Sequence, residues 1–136
     1  MTITKKYIDQ ISFEIIGAAI EVHKELGPGL LESIYHRCMK EELSSRNLTF
    51  FSELITPVHY KGKVLETELR CDFLVENLVV VELKTVEAFA PVHEAQLLSY
   101  MRLLEKPKGI LINFYCSNIF KEGQKTMVNE IYKALP

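Results

Sequence analysis

Between Ser45 and Thr49 the hydrophobic period of this chain changes from three-to-four residues to two, and the new period lasts until Lys84. A chain patterned in this way must set helices against a sheet. Upstream, Ile8, Ile11, Ile15, Ala18, Val22 and Leu26 place one apolar stripe on a helix from about Thr4 to Leu26, which Gly27-Pro28-Gly29 stops. A second helix is expected from about Leu30 to Ser45, burying Leu31, Ile34, Tyr35, Cys38 and Leu43 before Arg46-Asn47 releases the chain. Downstream, a strand from Phe51 to Tyr60, a turn at Lys61-Gly62, a long strand from Val64 to Val75, a tight connection near Glu76-Asn77 and a strand from Leu78 to Lys84 predict a three-stranded antiparallel meander. Pro57 lacks an N–H, so its strand should be bulged or at an edge. Pro91 suits the first turn of a third helix, about Pro91 to Leu104. Gly109 to Tyr115 reads as a fourth, buried strand and Gln124 to Ala134 as a closing helix. The predicted class is α/β (α+β), in the order ααβββαβα.

At 136 residues the chain has the length of one domain, taken as 1–136, able to bury about two-thirds of its unfolded surface. No run approaches the roughly 20 apolar residues of a membrane span and the N-terminal segment lacks a signal-peptide core, so no membrane partner is expected and the cytoplasm is the expected location. Cys38, Cys71 and Cys116 are three in number and widely spaced, which suggests neither disulfides nor a zinc cradle but small buried hydrophobes. A formal charge of −2 argues against coating nucleic acid through a broad basic surface and leaves room for a local cationic groove. Lys61, Lys63, Lys106, Lys108, Lys121 and Lys125 lie in or near predicted turns where they could border such a groove, although scattered lysines are more often simply solvated.

The third strand ends in Glu82-Leu83-Lys84, and Asp72 lies ten residues before Glu82. Side chains alternate along a strand, so Glu82 and Lys84 share one face while Val81 and Leu83 take the other. On the preceding strand Leu69, Cys71, Phe73 and Val75 form the apolar set, leaving Arg70 and Asp72 polar. An odd-length connection over Glu76-Asn77-Leu78, or a bulge, sets Asp72 opposite Glu82; a plain two-residue turn sets them on opposite faces. Two carboxylates about 5 Å apart repel, and Mg²⁺ or Mn²⁺ between them relieves that repulsion. The bare motif has a plainer reading, a solvated hairpin face on which Glu82 pairs with Arg70 or Lys84.

On the third helix His93, Gln96 and Tyr100 stand on one face, with Leu97, Leu98, Met101 and Leu104 as the apolar side, so that Gln96 and Tyr100 border core and cleft. His93 is assigned to surface or helix-end duty. Near the second helix, Gly29 can serve as a turn, Glu32 suits the positive end of the helix dipole, and Tyr35 can pack.

Together these segments resemble the GxxExxY proteins, a family within the PD-(D/E)XK nuclease superfamily, from Ile15 to about Tyr115. Gly29, Glu32 and Tyr35 match the motif that names the family; Asp72 and Glu82-Leu83-Lys84 match the acidic pair and lysine; Gln96 and Tyr100 match a QxxxY element. Cys71 stands where the superfamily name has proline. The resemblance implies a restriction-endonuclease-like core and metal-dependent cleavage of nucleic-acid phosphodiesters, DNA first, with Mg²⁺ or Mn²⁺ as cofactor. It implies Asp72, Glu82, Leu83 and Glu32 as the metal-binding set, Lys84 as the catalytic lysine, and Gln96 and Tyr100 as residues that orient Lys84 or a phosphate. The alternative is a non-catalytic module of the same fold that binds nucleic acid or a protein partner, and a homodimer is equally compatible with the sequence.

Overall fold

A computed structural model of the protein describes residues 2–136. In chain order it forms α1 (Lys5–Leu26), α2 (Glu32–Ser45), β1 (Phe50–Ile55), β2 (Val58–Tyr60), β3 (Lys63–Leu65), β4 (Arg70–Val75), β5 (Val79–Lys84), α3 (Pro91–Leu104), β6 (Lys108–Asn113), α4 (Ile119–Glu122), β7 (Gln124–Val128) and α5 (Glu130–Lys133). Five strands form one sheet in the order β1-β4-β5-β6-β7, and β2 with β3 forms a separate hairpin. The expected antiparallel meander is present as β1, β4 and β5, while β6 runs parallel to β5. This mixed α+β architecture is the restriction-endonuclease-like arrangement anticipated from the sequence. No helix among the described residues is long and apolar enough to cross a membrane.

Helix α1 starts where Thr4 Oγ1 accepts the Tyr7 N–H at 3.1 Å and ends at Gly27, whose φ of 68° a side chain would resist. Its stripe Ile8, Ile11, Ile15, Ala18 and Val22 is buried, as the spacing predicts. On α2 the inward residues are Tyr35, Met39 and Leu43, one face at four-residue steps, whereas Leu31 and Ile34 are exposed. The expectation that those two are buried fails because Tyr35 sets the rotation of the helix. Its hydroxyl donates to Gly27 O and accepts from Leu30 N–H, and its ring stacks on Phe114 at 4.3 Å.

Both faces are dry at the centre of the sheet, along β5, β6 and most of β4. Phe73, Val75, Val79, Val81, Leu83, Ile110 and Ile112 pack against α1 and α2. Cys71, Leu74, Val80 and Leu111 pack against Leu97 and Met101 of α3. Gly109 permits the second layer, since a Cβ there would lie 2.7 Å from Leu97 Cδ1 and Met101 Sδ. Consequently the polar side of β5 looks at a helix instead of open solvent.

Two expectations about the strands are corrected. The long predicted strands 51–60 and 64–75 are each broken: β1 stops at Ile55, and the arm formed by β2 and β3 departs through Pro57, its base tied by Thr56 N–H to Leu69 O (2.8 Å) and Thr67 Oγ1 to Thr56 O (2.9 Å). The closing helix 124–134 is replaced by a fifth strand and a short turn of helix. Gln124–Val128 completes the open edge of β6, and helical geometry begins only after the extended cap residue Asn129, whose Oδ1 accepts the N–H groups of Ile131 and Tyr132. A sheet edge offered a full ladder of hydrogen bonds outweighs a weak helical period.

Candidate active site

The ladder between β4 and β5 pairs Val75 with Val79, Leu74 with Val80 and Phe73 with Val81, a register set by the three-residue connection Glu76-Asn77-Leu78. Glu76 and Asn77 both adopt left-handed conformations there, with φ of 52° and 57°. The next pair in that register is Asp72 and Glu82, where side chains take over from backbone. Asp72 N–H donates to Glu82 Oε1 at 3.1 Å, and Leu83 N–H donates to Asp72 Oδ2 at 2.7 Å. One oxygen of each carboxylate thus substitutes for a carbonyl of the sheet, and the other takes no part in the ladder. Beyond this point the strands separate and a cleft opens.

The pleat also changes side at this level. Phe73 and its partner Ser52 face α2, whereas Cys71 and its partner Leu54 pack on the α3 side with Leu74. Between them, Glu53 has a φ of 53°, which rotates the strand by one face. The expected single apolar set Leu69, Cys71, Phe73 and Val75 is therefore divided, and Leu69 is exposed. Asp72 sits at the crossover, where β4 and β5 part, and borders both faces of the sheet there. Cys71, at the position where the superfamily name has proline, is buried, and its thiol is pushed up to about 12 by burial first and by Glu82 and Asp72 after it. It is a core residue.

Glu32, Asp72, Glu82, Lys84, Gln96 and Tyr100 all line one cleft of about 450 Å³. Arg70, Leu69, Val92 and Leu103 complete its rim and apolar wall. Glu32 arrives from the first turn of α2, held out by the turn that Gly29 (φ 103°) makes and Tyr35 fastens. Glu82 is 7% exposed, and its carboxyl is raised to about 9 by burial first and then by Asp72, with Lys84 pulling the other way. Glu32 is also raised, by burial and then by Asp72, and lowered by Lys84. Lys84 is half-buried and forms no ion pair among the described residues, so the plainer expectation that it pairs with Glu82 does not hold. Leu83 is fully buried, which leaves only its backbone on the cleft side.

Tyr100 donates its hydroxyl to Arg70 O at 3.0 Å, which anchors α3 to the departing strand. Gln96 is exposed on the same helix face. His93 serves the helix end, its Nδ1 accepting the Ala90 N–H at 3.0 Å. Among the described residues no three His, Cys, Asp or Glu side chains converge closely enough to cage a metal ion by themselves. The donor set still suits a hard cation: oxygen ligands only, with Glu32 and Glu82 both raised by burial first and by the charge of Asp72 after it, a penalty on their ionised forms that a cation would relieve.

Sequence reasoning missed His36. Its ring stacks on Phe73 at 4.3 Å, Nε2 lies 2.8 Å from Ser52 Oγ, and Nδ1 lies 3.8 Å from Asp72 Oδ1. The signal was its i+4 spacing from Glu32 on one helix face. None of the six lysines singled out above lines this cleft. Lys108 is instead buried against Asp9 (2.9 Å), Lys125 pairs with Glu94 (2.8 Å), and Lys61 and Lys63 belong to the β2–β3 arm.

A family model described as the PD-(D/E)XK nuclease superfamily matches residues 9–127. No curated protein matches the chain. Among solved structures, one described as the crystal structure of SSO0001 is similar, with a TM-score of 0.51 and 23% identity over 71% of this chain and 49% of that one. The chain spans about half the length of that protein, and the likeness is one of fold.

Proposed function

The chain belongs to the PD-(D/E)XK nuclease superfamily, and from that membership we propose that it is a metal-dependent nuclease that hydrolyses phosphodiester bonds, acting first on DNA. The observation that carries this reading is the single cleft onto which Glu32, Asp72, Glu82, Lys84, Gln96 and Tyr100 all open, at the point where β4 and β5 part. The ladder-free oxygens of Asp72 and Glu82, the backbone of Leu83 and the carboxylate of Glu32 would hold Mg²⁺ or Mn²⁺. When bound, such an ion supplies polarisation of a phosphoryl oxygen and a more acidic water.

The remaining work falls to the chain itself. Lys84 offers an uncommitted ammonium to the negative charge that develops on the phosphoryl oxygens, in a cleft partly screened from water. Gln96 presents an amide that can orient a phosphate oxygen or the Lys84 tip. Tyr100, its hydroxyl spent on Arg70 O, positions α3 and offers its ring to the substrate. The GxxExxY branch suits this division of labour, since Gly29 and Tyr35 build the turn and Glu32 alone reaches the cleft.

The test is incubation of purified protein with single-stranded DNA, duplex DNA and RNA in Mn²⁺ or in EDTA, alongside Glu82→Gln and Lys84→Gln. Cleavage that needs Mn²⁺ and falls at least about 100-fold in both variants is expected. Cleavage undiminished in both variants rejects this site. Nucleic-acid binding with no turnover in any metal would make the protein a non-cleaving module of the same fold.

A further inference from the structure

Glu32 and Asp72 also border a second cleft, of about 410 Å³, on the α2 side of β4. From α2 it receives Ser33, His36, Arg37 and Lys40; from β1 it receives Ser52 and Glu53. The two clefts are flanks of one acidic edge, and the crossover of the pleat at Asp72 is what exposes that edge on both sides.

The flanks differ in chemistry. On the α3 side Leu69, Val92, Leu103 and the Tyr100 ring make an apolar wall suited to a sugar and base. On the α2 side, Ser33, Arg37 and Lys40 stand at i, i+4 and i+7 on one exposed helix face. Neither Arg37 nor Lys40 forms an ion pair among the described residues, although Glu42 on the same helix binds Arg46 at 3.2 Å. Cations left uncommitted beside carboxylates, in a concave wall with two hydroxyls, are matched to a polyanion that bridges the edge. His36 makes this wall rigid: its side chain is 13% exposed, stacked on Phe73, and within 2.8 Å of Ser52 Oγ. Glu53, in its left-handed conformation, adds the wall's own acid and limits how much anion the cleft accepts.

We propose that the α2-side cleft is a backbone-phosphate subsite, in which Arg37 and Lys40 hold the phosphodiester adjacent to the one at the acidic edge. This rests on the nuclease reading above and deepens it: the substrate is a strand with a phosphate beyond the scissile one, and its nucleoside lies toward α3. An isolated diester has nothing to place in this cleft.

Two measurements test it. The first is fluorescence anisotropy of labelled 20-mer single-stranded DNA and RNA in EDTA from 50 to 200 mM salt, for the wild type, Arg37→Ala/Lys40→Ala, Arg37→Lys/Lys40→Arg, and Lys24→Ala/Lys121→Ala as an equal loss of charge away from both clefts. Arg37→Ala/Lys40→Ala should weaken binding about tenfold at 50 mM salt and make the slope of log K against log salt shallower by about 1.4 on both strands. The charge-preserving pair should restore the slope, and the distant pair should leave it as in the wild type. An unchanged slope in Arg37→Ala/Lys40→Ala, or an equal change in the distant pair, overturns the subsite. The second compares kcat/KM in Mn²⁺ on the 20-mer and on bis(p-nitrophenyl) phosphate. Arg37→Ala/Lys40→Ala should lose at least about tenfold more on the 20-mer, and equal losses overturn the proposal. If the wild type turns over neither substrate, the nuclease reading fails while the slope still decides the subsite.

Discussion

Glu82 carries its carboxyl into a site where burial, and then the charge of Asp72, favour the protonated form up to about pH 9, against 4.5 for an unhindered glutamic acid. The folded state therefore binds a proton that the unfolded chain releases. Stability from this group is fully present below about pH 4.5 and is lost as pH rises toward 9. Glu82→Gln keeps an oxygen for the Asp72 N–H and cannot ionise, so its melting temperature should fall less than that of the wild type between pH 5 and 9, read by differential scanning calorimetry in EDTA. Adding Mg²⁺ or Mn²⁺ should stabilise the wild type more at pH 8.5 than at pH 5.5, the cation taking the place of the proton. Tyr35 offers a second residue-level test. Tyr35→Phe retains the stack on Phe114 but removes the hydroxyl from Gly27 O and Leu30 N–H, which should cost about 1–3 kcal/mol in urea denaturation.

Among the elements, α3 and the β2–β3 arm stand at opposite extremes of coupling to the core. Gly109→Ala drives a methyl to within 2.7 Å of Leu97 and Met101, so α3 must lift from β6; a loss of about 1–3 kcal/mol is expected, together with reduced cleavage as Gln96 and Tyr100 shift. The arm supplies no residue to either core cluster, and its strand residues are half-buried or exposed. Replacing residues 58–65 by Asn-Gly should change unfolding free energy by less than about 1 kcal/mol. The same contrast explains what could be read from sequence. Helices α1 and α3 were legible because each has an explicit stop or start, Gly27 in one and Pro91 in the other, and an apolar side turned to the core, although on α3 only Leu97 and Met101 are buried and Leu98, expected beside them, is exposed. The register that sets Asp72 against Glu82 could be posed as one of two alternatives, but choosing between them required the backbone of Glu76 and Asn77. The crossover at Glu53 was not legible, because a left-handed glutamate has no residue signature. Nor was β7, whose only reason to be a strand is the edge of β6 waiting beside it.

Across the whole molecule, the two ends of the parallel β5–β6 pair have different duties. At the end with Glu82 and Lys84, β5 stays paired with β6 as far as Lys84 and Asn113 but has parted from β4, and the cleft opens there. The end at Val79 and Lys108 is fastened: Lys108 Nζ binds Asp9 Oδ1 at 2.9 Å and lies 5.6 Å from the centre of the Tyr132 ring, and the Tyr132 hydroxyl donates to both oxygens of Asp9. Asp9→Ala leaves a nearly buried ammonium without its carboxylate and should cost about 1.5–3 kcal/mol, measured by denaturant titration at pH 7. A loss under about 0.5 kcal/mol, the size of an ordinary surface change, would show that the far end is not held by this cluster.

Because the acidic pair stitches two strands together as well as facing the cleft, its persistence in a descendant says little about turnover. A lineage that had given up cutting would still be penalised for discarding either acid, since two amides would lose their acceptors. Lys84 bears no such architectural debt. Its retention or loss is the more truthful witness to whether a protein built on this plan still performs chemistry.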